Sequence, residues 1–279
     1  MKLSELIQKM DATFHPEYQE DYDNSGFLLG DPERSVTGVL TAIDLTEAVA
    51  DEAIDKGLNL IVTHHPFIFS GLKRITPHTT VGRIVMRLVE HGVAVYAAHT
   101  NLDNLKMGVN GILAAQLGLQ DCHILRPSPV KQIPNNSTNQ QFNNSTDEIG
   151  AGMIASLPSP MPTAQFLASV KETLQLHTMR VGVGALEIRS QIEKVAICGG
   201  AGKFLIGDAI AAGADIYLTG DLKYHDFQEA EGKIVLVDIG HYESEQFSRG
   251  LLAGAVDALG DGSFKTVVSI ACDRWEVWV

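Results

Sequence analysis

The stretch VLTAIDLTEAVADEAIDKGLNLIVTHHP, residues 39–66, contains two short, mostly apolar runs on either side of an amphipathic segment. Residues 39–43 and 60–62 have the apolar and β-branched composition of buried strands. The spacing in residues 47–56 predicts a helix that ends before Gly57, because glycine readily adopts the left-handed conformation that terminates helices. This order of strand, helix and strand predicts a parallel pair of strands with the helix packed on one face.

The same alternation continues on both sides of a polar segment. The next predicted elements are a helix at 81–91, ended by Gly92, and a strand at 93–98. Further along, we predict three strands, at 195–198, 216–218 and 234–237, and three helices, at 203–212, 225–231 and 241–259. The predicted fold class is therefore α/β, with two α/β lobes whose mostly parallel sheets are covered by helices.

Residues 127–150 differ in character from both series of elements. They contain the tetrapeptide Asn-Asn-Ser-Thr twice and too few apolar side chains to offset the entropy of ordering the chain. We therefore expect a first α/β lobe at 1–126, a polar, Asn-rich linker or insertion at 127–150, and a second α/β lobe at 151–279.

Composition excludes several classes of function. The 279 residues carry 21 Lys and Arg against 34 Asp and Glu, a formal net charge of −13, which argues against polymeric nucleic acid as a partner. The three cysteines include no Cys-x-x-Cys pair, which argues against a disulfide framework or a structural zinc knuckle. No segment has the apolar core of a signal peptide or the length of a membrane span, so we expect a cytoplasmic protein that does not contact a membrane.

Two adjacent histidines directly follow the predicted strand at 60–62, in Thr63-His64-His65-Pro66. Successive side chains of an extended strand point to opposite faces, so the backbone must turn here if both imidazoles are to face one site. Two neutral imidazoles at the carboxyl end of a strand would form half of a metal site. The alternative is a pair of loop histidines with ordinary hydrogen bonds.

Two further motifs follow predicted strands in the same way. In HTNLD, residues 99–103, Asp103 offers a hard oxygen ligand or caps the next turn, while His99 could ligate or donate a hydrogen bond. In GHYESE, residues 240–245, His241 and Glu245 are four residues apart and would share a helix face. Such a pair is also common on solvated helices, so neither motif alone identifies a site.

The combination of these motifs carries the prediction. All five side chains fall just beyond the carboxyl ends of predicted strands, the edge at which open α/β sheets build ligand sites: His64, His65, Asp103, His241 and Glu245. Three imidazoles and two carboxylates exceed what one structural ion needs, and they predict a dinuclear metal site in the cleft between the lobes. Mixed nitrogen and oxygen ligands suit two divalent cations per chain of Zn, Mn, Fe or Co better than Ca or Mg.

Other residues near these motifs have more than one interpretation. Asp44 could orient an imidazole as a hydrogen-bond acceptor, although we favour the N-cap of the following helix. His225, in TGDLKYH at 219–225, could relay protons or lie on a surface helix. The GGAGKF segment at 199–204 lacks the Ser or Thr after Lys that a P-loop requires, so we interpret it as a glycine-rich turn for close packing. DNSG at 23–26 is interpreted as a turn, with a place in a cleft as the alternative.

Taken in order, DNSG, THHP, HTNLD, TGDxxYH and GHYESE resemble the family of GTP cyclohydrolase 1 type 2 homologues, also called NGG-interacting-factor-three-like proteins. The resemblance covers nearly the whole chain apart from the Asn-rich stretch. It implies a two-lobed α/β fold, a dinuclear metal centre and a toroidal homohexamer. The family's metal ligands correspond to His64, His65, Asp103, His241 and Glu245 of this chain. The short span between the halves makes this a short member without the family's extra inserted domain.

These inferences predict a metal-dependent hydrolase whose small-molecule substrate is a nucleotide or a related phosphorylated or heterocyclic compound. The ions would activate water, and His99 or His225 would act in catalysis by relaying the proton. The alternative is a non-enzymatic metal-handling protein or a regulatory protein-binding scaffold. Ions with an open coordination position would favour the enzyme, and a saturated, buried cage would favour the alternative.

Overall fold

The structure, a computed structural model, describes residues 1–128, 149–184, 187, 189–271 and 273–275. The chain folds into two compact units, the first formed by residues 1–102 and 248–275 and the second by residues 103–128 and 149–247. The chain passes from the first unit to the second at 102/103 and returns to the first unit at 247/248. Most of the predicted Asn-rich insertion lies outside the described residues.

Eleven strands occur in the described part of the chain. They are β1 Gly26–Leu29, β2 Val39–Ala42, β3 Leu60–Thr63, β4 Ala94–Ala97, β5 Gln120–Pro127, β6 Gly150–Pro162, β7 Arg180–Val181, β8 Gln191–Ile197, β9 Ile216–Thr219, β10 Val235–Asp238 and β11 Thr266–Val268. The α-helices of the same residues are Leu3–Phe14, Glu47–Asp55, Thr80–His91, Thr100–Asp103, Val109–Gln116, Thr163–Thr173, Ile206–Ala211, Tyr224–Ala230, His241–Glu245 and Ser248–Leu259. None of these helices has the length and apolar character needed to cross a membrane.

The first unit contains a sheet of strand order β1-β4-β3-β2-β11 in which β1 alone, among the described strands, runs antiparallel to its neighbour. The helices Glu47–Asp55 and Thr80–His91 pack on this sheet through buried apolar side chains, among them Leu40, Val49, Ala53, Ile61, Ile84, Leu88 and Val95. In the register, Ala42 pairs with Thr63 and Thr63 with Ala97. The segments after β2, β3 and β4 therefore leave the sheet at the same edge.

The second unit contains a sheet of strand order β5-β6-β8-β9-β10-β7. Only β8, β9 and β10 of its described strands are parallel, so this sheet is mixed, whereas the sequence predicts mostly parallel sheets. In the antiparallel strand β6, buried positions alternate with more exposed ones over its first half, as in a sheet with one solvated face. The parallel strands have continuous apolar runs, which is why the sequence revealed them more readily.

Most of the predicted helices and strands are confirmed within one to four residues. The helices before Gly57 and Gly92 end as expected, with φ of 66° and 65° at these glycines. The predicted helix at 241–259 is instead two helices, because the Gln246 side chain donates hydrogen bonds to the carbonyls of Glu243 and Leu174, 3.0 Å each. The Glu243 carbonyl is thereby capped, the first helix stays in the second unit, and the second helix joins the first unit.

Glu52 attaches the helix Glu47–Asp55 to the segment that follows β11 in the first unit. Its carboxylate accepts hydrogen bonds from the Ser269 hydroxyl (2.6 Å) and the Ala271 amide (3.0 Å), and it is paired with Lys56. Burial opposes the charge of Glu52. The hydrogen bonds from Lys56, Ser269 and the backbone amides outweigh burial and lower its pKa to about 2.

We expect Glu52→Gln to lower the free energy of unfolding by about 1–3 kcal/mol near neutral pH, because charged hydrogen bonds to a buried carboxylate are lost. Because the pKa of Glu52 is lower in the folded state than in the unfolded state, the ionised carboxylate stabilises the fold at pH values above the unfolded pKa of 4.5. This stabilisation is lost as the pH falls through the folded value of about 2. Urea unfolding between about pH 7 and pH 3 should therefore show the difference shrinking with acidification. Glu90→Gln, at an exposed position, serves as the matched control. If Glu52→Gln lowered the free energy of unfolding by the same amount at every pH, the stabilising role of the Glu52 charge would be contradicted.

Candidate metal centre

His64 and His65 leave β3 in a backbone turn that brings both imidazoles to one side. The His64 amide donates to Ala42 (3.2 Å) and the His65 amide to Ile43 (3.0 Å), while the Thr63 hydroxyl donates to the His65 carbonyl at 2.7 Å. The two rings lie 4.9 Å apart, centroid to centroid. The turn that the sequence requires for a shared site is therefore present.

An acceptor fixes each of these rings through Nδ1. His64 Nδ1 donates to the Ala98 carbonyl at 2.8 Å, and His65 Nδ1 donates to Asp44 Oδ1 at 3.0 Å. The interpretation of Asp44 as the N-cap is wrong, because the Thr46 hydroxyl accepts the Val49 amide and caps the helix instead. Asp44 holds an imidazole, the alternative that the sequence left open.

His99 follows β4 and is held by Asp23. Its Nδ1 donates to Asp23 Oδ1 at 2.7 Å, and the same carboxylate accepts the amides of Thr100 (3.0 Å) and Asn24 (2.7 Å). The hydroxyls of Thr100 and Ser25 also donate to it. Burial opposes the charge of the fully buried Asp23 side chain, but the hydrogen bonds from His99 and Thr100 outweigh it and hold the pKa well below its usual range.

The three imidazoles of the first unit converge. The ring of His99 lies 5.4 Å from that of His64 and 5.3 Å from that of His65, and the nitrogen atoms available for ligation all lie within 4.8 Å of one another. Because Nδ1 of each ring is donated, each neutral imidazole carries its lone pair on Nε2. The cluster can therefore offer three nitrogen ligands to a cation.

In the second unit, His241 lies between two carboxylates. Its Nδ1 donates to Asp221 Oδ2 at 2.8 Å, and its Nε2 lies 3.2 Å from Glu245 Oε2, one helical turn away. Burial opposes a charge on His241, but Glu245 and Asp221 outweigh it and raise the pKa to about 11. The surroundings of this ring therefore stabilise a positive charge, which is also what a cation site requires.

Glu245 has room because residue 200 lacks a side chain. A Cβ at Gly200 would lie 2.3 Å from Glu245 Oε1 and 3.2 Å from His241 Nε2, and its φ of 61° also favours glycine. The Gly200 amide donates to Ser244 Oγ at 2.9 Å. The glycine-rich turn predicted for close packing thus packs directly against the helix that carries His241 and Glu245.

Asp103 belongs to the second unit and lies at the end of the helix Thr100–Asp103. A carboxylate oxygen of Asp103 lies within 4.8 Å of one from Glu245, and its backbone carbonyl accepts Asn110 Nδ2 at 3.1 Å. Asn110 also accepts the Gly199 amide at 2.9 Å. The second unit therefore brings together two carboxylates and one imidazole.

His225 is placed differently from the other predicted residues. It is exposed on the helix Tyr224–Ala230, where Nδ1 contacts Gln228 Oε1 at 3.2 Å. Among the described His, Cys, Asp and Glu side chains, it is not a member of a cluster that could hold an ion. Its role in proton transfer stays a prediction.

Sequence reasoning missed the roles of Asp23 and Asp221. The DNSG motif indicates a turn at Asp23, and the partner of this residue, His99, is 76 positions away. Asp221 follows the buried strand β9, at the edge that β10 and His241 share, and this position could have identified it. For Asp221, the signal is therefore an Asp that follows the strand next to the one that precedes the histidine.

The comparisons with known proteins agree with this fold. The family model of Duf34/NIF3 (NGG1p interacting factor 3) matches residues 1–272. A Clostridium perfringens protein named GTP cyclohydrolase 1 type 2 homolog is 34% identical over 248 residues, covering 88% of this chain and 87% of that protein. A Streptomyces coelicolor protein of the same name is 31% identical over 262 residues, 93% of this chain and 87% of the relative.

Two crystal structures are also similar over the whole chain. A hypothetical protein from Staphylococcus aureus has a TM-score of 0.84 at 30% identity, and a Bacillus cereus protein related to NIF3 has 0.85 at 26%. Each comparison covers 100% of this chain and 99% of the other. The resemblance identified from the five motifs is confirmed, and the chain belongs to the Duf34/NIF3 family.

Proposed function

We propose that this protein is a metal-dependent hydrolase that uses two divalent cations to act on a nucleotide or a related small molecule. His64, His65, Asp103, His241 and Glu245 would hold the ions. The observation that carries this proposal is the fixed orientation of the imidazoles of His64, His65 and His241, since Nδ1 of each donates to an oxygen acceptor. Such second-layer acceptors, carboxylates in two of the three cases, are typical of metal-ligating histidines.

The donor set fits transition metals. Imidazole nitrogens combined with carboxylate oxygens suit Zn, Mn, Fe or Co better than Ca or Mg. When bound, such ions supply Lewis acidity and lower the pKa of water. The relatives named GTP cyclohydrolase 1 type 2 homolog make GTP the first substrate to test.

Two histidines outside the five-residue set could move the proton. His99 has Nδ1 held by Asp23 at 2.7 Å, so Nε2 would accept a proton and return it. His225 has Nδ1 at Gln228 and lies on an exposed helix. Both keep the catalytic role that the sequence predicted for them as part of this proposal.

We expect purified wild-type protein to contain about two transition-metal ions per chain and His65→Ala to lose at least one, because an imidazole ligand is removed. Elemental analysis by mass spectrometry measures both. His91→Ala is the matched control, since His91 is exposed and bonds to the carbonyl of Arg87 in its own helix. Equal metal content in wild type and His65→Ala would refute the assignment of His65.

We expect GTP or another nucleotide to be hydrolysed only when Zn or Mn is supplied, with His65→Ala at least about tenfold slower. Chromatography of the products separates the reactions, since ring-opened guanine indicates a cyclohydrolase and released phosphate indicates a phosphatase. Metal-loaded protein without turnover on a panel of nucleotides would contradict the hydrolase and favour non-enzymatic metal handling.

We expect the chain to assemble into the toroidal homohexamer that family membership suggests. Size-exclusion chromatography with light scattering should then give a mass about six times that of one chain. The mass of a single chain at micromolar protein concentration would contradict this part of the proposal.

A further inference from the structure

Two exposed aromatic side chains lie beside the histidines of the first unit. Phe69 is the fourth residue after His65, and the centroid of its ring lies 6.3 Å from that of His99, at an interplanar angle of 75°. The ring of Tyr22 lies 6.4 Å from that of Phe69 and is tilted by 39°. Tyr22 is 65% exposed and Phe69 is 50% exposed, so both keep surface that a further ring can cover. We call Tyr22 and Phe69 the aromatic platform.

Hydrogen bonds join the two segments that carry the aromatic platform to each other and to His99. Asn24 Nδ2 donates to the Ile68 carbonyl at 2.6 Å, and the Asn24 amide donates to Asp23 Oδ1 at 2.7 Å. The same oxygen of Asp23 accepts His99 Nδ1 at 2.7 Å. Phe67 packs against the apolar core of the unit and anchors the loop from below. The platform is therefore positioned before a ligand arrives, which lowers the entropic cost of binding.

The loop that carries Phe69 also supplies positive charge. Lys73 and Arg74 are exposed, and neither forms an ion pair or a hydrogen bond with another residue of the described part of the chain. Because the chain has a net charge of −13, two adjacent cations without acidic partners mark a local surface that attracts anions. Ammonium and guanidinium groups both bind phosphate. Aromatic rings with cations nearby therefore suit a ligand that has both a ring and a phosphate group.

We propose that the aromatic platform binds the base of a nucleotide, which stacks on Tyr22 and Phe69. This inference rests on the proposed function and deepens it, because it gives the substrate a heteroaromatic base and gives that base a place in the first unit. Aromatic rings attract one another at centroid separations of about 4.5–7 Å, and every nucleobase has a π face. A base on Phe69 lies beside His99, and hence beside the histidines of the candidate metal centre.

The test compares two phosphorylated ligands, one with a base and one without. Isothermal titration calorimetry on the full-length, Zn-loaded protein measures the Kd for guanosine 5′-monophosphate and for ribose 5-phosphate. We expect Tyr22→Ala and Phe69→Ala each to weaken binding of guanosine 5′-monophosphate at least about fivefold, because a stacking surface is lost. Binding of ribose 5-phosphate should stay unchanged. Phe69→Tyr keeps the ring and should restore the wild-type Kd.

Trp275→Ala is the matched control, since Trp275 is an exposed aromatic residue of the same unit. It should leave both Kd values unchanged. Elemental analysis should give the same metal content in every variant, because neither residue of the aromatic platform is a candidate ligand. Thermal unfolding checks that each variant keeps its fold.

Three results would overturn the inference. Wild type binds guanosine 5′-monophosphate no more tightly than ribose 5-phosphate, or the alanine variants bind it with the wild-type Kd, or they lower the assembly mass in light scattering with that Kd unaltered. The last result would make the aromatic platform an interface between copies of the chain. All three leave metal uptake and turnover intact, and with them the proposed function. Wild type without bound metal or without turnover contradicts the proposed function instead, so the two failures are distinguishable.

Discussion

The hydrogen bond between an Asp carboxylate and a histidine Nδ1 is the interaction on which the candidate metal centre depends. Among the described residues it joins Asp44 to His65, Asp23 to His99, and Asp221 to His241. Each bond makes Nδ1 the donor and stops the ring from rotating, so that Nε2 would carry the lone pair whenever the imidazole is neutral. Without it, imidazoles on loop segments would sample several rotamers and would not converge.

The strand register explains why these pairs form. Asp44 follows β2 and His65 follows the adjacent parallel strand β3, while Asp221 follows β9 and His241 follows the adjacent β10. In the third pair, Asp23 precedes β1, which runs antiparallel to β4, so the start of β1 lies beside the end of β4 and His99. One rule therefore covers all three pairs: the acceptor and the imidazole lie next to the ends of two neighbouring strands, at the same edge of the sheet.

This rule also shows how much could be predicted from the sequence. The continuous apolar runs of β2, β3, β4, β9 and β10 indicate these strands, and the His, Asp and Glu side chains that follow β3, β4 and β10 are the predicted ligands. Asp44 stayed ambiguous because an Asp before a helix is also a common N-cap, and only the Thr46 hydroxyl decides between the two. Asp23 could not be found, since β1 has four residues with no diagnostic pattern and its antiparallel pairing with β4 is a tertiary contact. The split of the predicted helix at 241–259 likewise depends on Gln246 and the distant carbonyl of Leu174.

Backbone conformation also constrains the candidate ligands of the second unit. Gly200 accepts the Gly220 amide at 2.8 Å through its carbonyl, and its own amide donates to Ser244. These bonds tie the turn after β8 to the turn after β9 and to the helix that carries His241 and Glu245. A side chain at this position would overlap Glu245 Oε1, as the 2.3 Å separation shows, so the carboxylate would have to move. The positions of His241 and Glu245 therefore depend on a residue that contributes no ligand, because its missing side chain leaves the space that the carboxylate occupies.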